Sequence, residues 1–280
     1  MARQKLPTNV RFTAPTREAV DPAVFARLPL SQWAQFSDLL RGPWPDLAAL
    51  NSHAHDALAP RFVAQTPELL ADGLHYEERI FVRGQIGTRE RNWHDLLNAL
   101  IWLRFRQLKQ ALNDRQVAEI RKVGPKQRSR AQCALTHFDE GGVVVLLRDP
   151  ALLTLWDAHD WPGLFWHERA AWSDGRIEVV VFGHALLEHA LCPQQLLVGK
   201  ALALGRQSEN VDNALRDVAA LIRAGALLND PQELRPLPLS GIPGWHSDGI
   251  EESFYRDAPC FRPLQTGRRY PAVIMRSRRS

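Results

Sequence analysis

Lysine is scarce in this chain, at five of 35 basic residues, and the arginine bias, with abundant alanine, points to a GC-rich bacterial genome rather than to selection for phosphate contacts. Cysteine is scarcer. Cys133, Cys192 and Cys260 are odd in number and widely spaced, without a C-x-x-C pair, which removes a disulfide framework, a structural zinc and a dithiol motif and leaves free thiols of a reducing compartment. No apolar run approaches the ~18 residues of a spanning helix. The opening Met-Ala-Arg-Gln-Lys-Leu-Pro lacks the hydrophobic core of a signal peptide, so the expected address is the cytoplasm, with no membrane partner. Internal repeats are absent. So are a G-x-S-x-G elbow, a Walker A loop and G-x-G-x-x-G, and His167-Glu168-Arg169-Ala170-Ala171 starts like a zinc-protease helix but has no second histidine.

What remains is a 280-residue chain, 45% apolar and 24% charged, long enough to bury a sizeable core. Its net charge of +4 sits mainly in the tail, where 268–280 carries five arginines and no acid. The body, with 30 basic and 31 acidic residues, is nearly neutral. An internal cluster, Arg121, Lys122, Lys126, Arg128 and Arg130, adds a local basic patch.

Hydrophobic spacing and breakers predict an α+β fold, mainly helical, with a small sheet and a long irregular C-terminal segment. One globular domain is expected over 1–267: a helical N-terminal lobe at 17–70 cut by prolines, an α+β body at 74–229, and an extended Pro-rich cover at 230–267, followed by the basic tail at 268–280. Leu74 to Val82 reads as a strand or hairpin ending at Arg83-Gly84. From Trp93 the apolar positions 96, 97, 100, 101, 105 and 108 keep helical spacing, predicting one helix past Leu112. Ser129–His137 reads as a helix ended by Gly141-Gly142, and Val143–Leu147 and Ile177–Phe182 as strands. Helices are further expected after Asp149-Pro150, from His184 to Leu191, and at 194–204 and 208–226. The crowded Trp156, Trp161, Trp166 and Trp172 suit packed rings or the wall of a pocket for a planar ligand. The cover has too many prolines for helix or central strand, yet too many large apolar residues to stay in water.

Two polar blocks interrupt this pattern. In Arg91-Asn92-Trp93-His94-Asp95, continuing to Asn98, His94 and Asn98 lie one helical turn apart with Asp95 beside them. A helix N-terminus disfavours protonated His94, so His94 and Asp95 suit a neutral base with an orienting acid; Asn92 and Asp95 equally suit a helix cap. Asp139 and Glu140, before Gly141-Gly142, suit general acid and base, metal ligation or a plain turn. His184 and Glu188 have the i, i+4 spacing of metal ligands, which makes a divalent metal the cofactor on offer, beside the simpler account of a surface His–Glu pair.

Four blocks carry a resemblance: Arg91-Asn92-Trp93-His94-Asp95-x-x-Asn98, Ala134-Leu135-Thr136-x-Phe138-Asp139-Glu140-x-Gly142, Phe182-Gly183-His184-Ala185-Leu186, and Pro238-Leu239-x-Gly241-Ile242-Pro243-Gly244-Trp245. In this order they resemble a bacterial domain-of-unknown-function family, numbered 3025, with Cys133 standing where an acidic residue is expected. The resemblance implies no activity and no catalytic residue. Three functions stay open from the residues alone. One is a hydrolase-type enzyme that gathers His94, Asp95, Asn98, Asp139, Glu140 and His184, with Arg91 or Arg130 neutralising an anionic small-molecule substrate. Another is a binding or scaffold protein in which these residues form a structural network. The third is a nucleic-acid accessory protein acting weakly through the tail and the 121–130 cluster.

Overall fold

The computed structural model describes residues 12–54, 59–124, 127–205 and 210–275. Lys126, Arg276, Arg278 and Arg279 of the basic segments therefore lie outside the described residues. Prolines and their preceding caps punctuate the N-terminal lobe: Asp21 and Thr66 accept backbone N–H groups, with Pro22 and Pro67 in the first turn. The lobe consists of 3-10 turns between Arg17 and Phe36, α1 (Ser37–Leu40), α2 (Leu47–Ser52) and α3 (Pro67–Leu70). It also holds an unexpected strand, β1 (Arg61–Ala64), which pairs in parallel with β2 (Gln85–Thr88).

Between these strands the expected strand or hairpin is instead a helix, α4 (Tyr76–Arg83). Its ends explain the difference. Glu78 accepts from the His75 backbone N–H at 3.4 Å, and Gly84, at φ 61°, donates its N–H to the Ile80 carbonyl at 2.9 Å. These capping bonds outweigh the β-branched composition. The long helix expected past Leu112 is two helices, α5 (Trp93–Arg104) and α6 (Arg106–Val123). Phe105 leaves helical geometry (φ −119°, ψ 39°), its ring held edge-on to Trp33 at 5.8 Å and against Phe182 at 6.0 Å.

Ser129 and Gln132 form a capping box that starts α7 (Arg130–Gly141), and the chain enters β3 (Gly142–Leu147), buried throughout. Asp149 caps α8 (Pro150–Asp157). Of the tryptophans, Trp156 is buried and Trp172 stacks on Phe165 at 5.1 Å, whereas Trp161, also buried, lines a cleft, so both expectations for these rings are met in part. Next come β4 (Ile177–Val181), α9 (His184–His189) and β5 (Val198–Gly205). A helix was expected at 194–204, but Gly199, Ala201 and Ala203 are small because β5 lies close along β3: a Cβ on Gly199 would meet Val143 Cγ2 at 2.8 Å. α10 (Val211–Arg223) follows as expected.

The cover is not wholly irregular. Its β6 (Arg235–Pro238) pairs antiparallel with β5, and as an edge strand it tolerates Pro236 and Pro238. α11 (Phe254–Asp257) and β7 (Ile274–Met275), the latter also on β5, complete the chain. The sheet runs β4-β3-β5-β6, with β3 antiparallel to β4 and parallel to β5. One hydrophobic core runs from Val20 in the lobe through the sheet to Leu237, Leu239 and Phe261 in the cover. The architecture is α+β and mainly helical, as expected. Among the described residues no helix is long and apolar enough to cross a membrane.

Candidate functional site

The break at Phe105 builds the site. In one straight helix residues 98 and 109 would lie about 16 Å apart along the axis, at 1.5 Å per residue. Instead α6 turns back, and Lys109 Nζ donates to Asn98 Oδ1 at 2.9 Å and to Asp139 Oδ1 on α7 at 2.6 Å. Lys109 is only 4% exposed and lies over the Trp102 ring at 5.3 Å. Asn98 in turn donates to the Tyr76 hydroxyl at 3.0 Å, which ties α4 to the group. From the same helix Glu77 accepts a bond from Asn113 Nδ2 at 2.6 Å.

A second chain of contacts meets the first at Asp139. His184 and Glu188, one turn apart on α9, each take one ring nitrogen of His94: Nε2 faces His184 Nε2 at 3.0 Å and Nδ1 meets Glu188 Oε2 at 3.1 Å. Two facing Nε2 atoms need one proton between them, and the electrostatics say whose it is. The hydrogen bond and charge of Glu188 outweigh partial burial and raise the His94 pKa, whereas burial drives that of His184 down to about 3. An imidazolium at His94 donating to neutral His184 fits both directions and leaves the His184 Nδ1–H facing Asp139 Oδ2, 3.8 Å away. That distance is too long for a hydrogen bond, and His184 Nδ1 is buried without a partner.

Gly183 permits this approach. A Cβ there would lie 2.4 Å from the Glu140 carbonyl oxygen and 2.5 Å from the Gly142 nitrogen, so only glycine lets α9 start against the α7–β3 corner. The Gly183 N–H donates to the Gly142 carbonyl at 2.8 Å, fixing the junction.

These groups surround a cavity of about 330 Å³ that also reaches Arg89 and Glu140. Its carboxylates are driven apart. Burial pushes Asp139 up, but Lys109, His184 and His94 together outweigh it and hold the group below the usual range; burial and the Asp139 charge push Glu77 up. The two carboxylates are thus displaced in opposite directions around the buried Lys109.

Of the residues expected from the sequence, His94, Asn98, Asp139 and His184 converge, and Glu140 lies exposed on the cavity wall. Asp95 also lines it but does not orient His94: its N–H donates to the Asn92 cap, and its two oxygens are held by Arg89 at 2.7 and 3.0 Å. Glu188 takes the orienting role, so the expected neutral His94 is corrected to a raised pKa. Arg89 stands where Arg91 was expected; Arg91 is exposed at φ 54° and does not line the cavity. Arg130 pairs with Asp230 and is likewise remote from the lining. Lys109, Tyr76, Glu77, Asn113 and Arg89 were not anticipated. Lys109 alone carried a signal, as one of five lysines, set beside the apolar positions 105, 108 and 112.

The metal expectation for His184 and Glu188 meets a different geometry, since the His94 ring stands between them. Among the described residues no three His, Cys, Asp or Glu side chains are grouped to hold a metal ion. In the basic cluster Arg121 covers the Phe81 ring, Lys122 pairs with Glu119, and Arg128 bonds to Thr136.

No curated protein and no solved structure matches this chain. A family model does, over residues 60–265, a range that contains every side chain of the cavity. The chain belongs to the family described as protein of unknown function (DUF3025).

Proposed function

We propose that the chain is an acid–base enzyme of the hydrolytic type, working on a small neutral or cationic polar substrate in the Lys109 cavity. One observation carries the reading: ionisable groups with opposed pKa displacements, Asp139 down and Glu77 up, His94 up and His184 down, converge on one cavity. Such splitting separates acid from base. In this account Asp139 takes the proton of an attacking water and releases it to solvent after turnover, while His184, neutral with its Nδ1–H toward Asp139, and His94, held as the imidazolium by Glu188, keep their own protons. The His184 Nδ1–H contact to Asp139 shortens when substrate excludes water. Lys109, with one N–H left after Asn98 and Asp139, faces the developing oxyanion, and Glu77 returns a proton to the leaving group.

An anionic substrate is not favoured. Arg89 and Asp95 neutralise one another, as do Glu188 and His94, which leaves Asp139 and Glu140 against Lys109. The second reading, a structural network, has one observation on its side, namely that both ring nitrogens of His94 are engaged within the protein.

The test is a panel of chromogenic esters, amides, glycosides and phosphoesters, assayed with the protein and with Asp139→Asn. Turnover of one class, lowered at least about 100-fold by the substitution, is expected of a general base. Turnover indifferent to Asp139→Asn would overturn the assignment. Inactivity across the panel, together with a Lys109→Met/Asp139→Asn protein that is less stable than the wild type, would give the site to the structural network.

A further inference from the structure

A second, larger cleft of about 810 Å³ lies between the β5–β6 edge and the C-terminal cover, with α7 as a wall shared with the first cavity. On α7, His137 lines the second cleft while Asp139, two residues on and about 200° around the helix, lines the first. The volume is that of small-molecule sites, about 300–1,000 Å³. Its charge is one-sided: Lys200, Arg262 and Arg268 line it and no carboxylate does. Of the nearby carboxylates, Asp157 is bound to Arg235, and Asp230 is bound to Arg130 and also feels the Arg268 charge. Among the described residues no hydrogen bond or ion pair engages the side chains of Lys200 and Arg262.

One cation is held by its side chain, and a second sits on fixed backbone. Arg268 Nη2 donates to the Gln232 carbonyl at 2.6 Å, and its guanidinium lies over the Tyr270 ring at 4.6 Å. The carbonyl of Arg262 accepts from Trp161 Nε1 at 2.8 Å and His159 Nδ1 at 3.0 Å, which fixes the backbone carrying that side chain. The stem of Lys200 passes Gly141, where a Cβ would come within 3.4 Å of its Cγ. Leu196, Val198, Leu234, Pro236, Pro259 and Pro263 give the lining an apolar part, beside the polar Gln232, Gln265, His137, His159 and Tyr270. Like charges gathered around a concavity focus a positive potential, and the apolar lining gives an anion's carrier something to cover.

We propose that this cleft binds a small organic anion, a phosphate or carboxylate on an apolar body. The proposal does not depend on the chemistry of the first cavity. Lys200 and Arg262 meet the anionic group, Arg268 is the preset third donor, and the Leu196–Val198–Pro236 part of the lining takes the body.

Calorimetric titration of the full chain with 1-naphthyl phosphate, 1-naphthoate, 1-naphthalenemethanol and inorganic phosphate tests it. Both naphthyl anions should bind at least about tenfold more tightly than the neutral alcohol, as charge-assisted bonds require. Inorganic phosphate should bind more weakly than naphthyl phosphate, and the relative strength of the two naphthyl anions says which acid is preferred. Lys200→Gln/Arg262→Gln, at exposed positions, should weaken both anions by about tenfold or more, whereas Asp139→Asn should not. Equal binding of the alcohol, or anion binding unchanged in the Lys200/Arg262 variant, would overturn the proposal. Displacement of naphthyl phosphate by a single-stranded RNA oligomer at lower concentration would also overturn it, assigning the cleft to a nucleic-acid backbone.

Discussion

Lys109→Met isolates the electrostatic centre of the first cavity. Methionine preserves most of the apolar stem of lysine, so packing over Trp102 largely survives while the ammonium is lost. Asp139 then remains a carboxylate whose 2.6 Å partner is missing, with its side chain 25% exposed, and Asn98 Oδ1 loses its donor. Breaking a buried pair from one side costs about 3–5 kcal/mol, and the partial exposure of Asp139 puts the expected loss near 3 kcal/mol. In a chain of this size that lowers Tm by about 6–12 °C. Adding Asp139→Asn removes the orphaned charge, so the double variant should regain about 2 kcal/mol over the single one. Urea denaturation of the four proteins of this cycle, with unchanged slopes, measures the coupling. Additive single effects, within about 0.5 kcal/mol, would show that Lys109 and Asp139 do not depend on one another and refute the reasoning.

Three further outcomes follow from the same geometry. The folded pKa of His184, lowered to about 3 by burial, means that below about 6.5 the unfolded chain binds a proton that the folded chain refuses; stability is full above that pH and falls toward pH 3, by about 2 kcal/mol at pH 5. His94, with its raised pKa, acts in the opposite sense, contributing fully below about 6.5 and losing that contribution as pH rises through the folded value; melts of the wild type and His184→Gln at pH 5 and 7 should differ by the His184 share. Gly183→Ala drives a Cβ into backbone at 2.4–2.6 Å and should cost about 1–3 kcal/mol while separating His184 from His94, read by melting and by imidazole NMR shifts. Truncation before residue 231 deletes β6 with buried Leu237, Leu239 and Phe261, each worth about 1.5–3 kcal/mol, and should abolish a cooperative melt.

The sequence was most informative where one local rule acted alone. Asn92, Ser129 and Asp149 cap helices where the sequence places them, and the valines of β3 and β4 form strands. It misled where tertiary contacts decided. Phe105 fits the apolar stripe of one long helix, and only Trp33 and Phe182, remote in sequence, turn it into a break. Gly199, Ala201 and Ala203 fit a helix until β3 is known to lie beside them. The site divides in the same way. His94, Asn98, Asp139 and His184 stood out as polar groups in apolar surroundings, but their joining through Lys109 depends on the unforeseen break. Glu188 takes the orienting role expected of Asp95, and Arg89 rather than Arg91 lines the cavity, because orientation, rather than proximity in sequence, decides which side chain reaches in.

If protons are unequally held across the cavity, a pH titration of 15N-labelled histidine side chains by NMR will resolve two widely separated midpoints. His94 should titrate above 6.5, held by Glu188, and His184 should stay neutral down to about pH 3 as the tautomer protonated at Nδ1. Asp139→Asn should leave the order unchanged while changing the His184 shifts, since its carboxylate faces that nitrogen. Midpoints near 6.5 for both rings, as for two independent solvated histidines, would contradict the account and remove the basis for acid–base chemistry in this cavity.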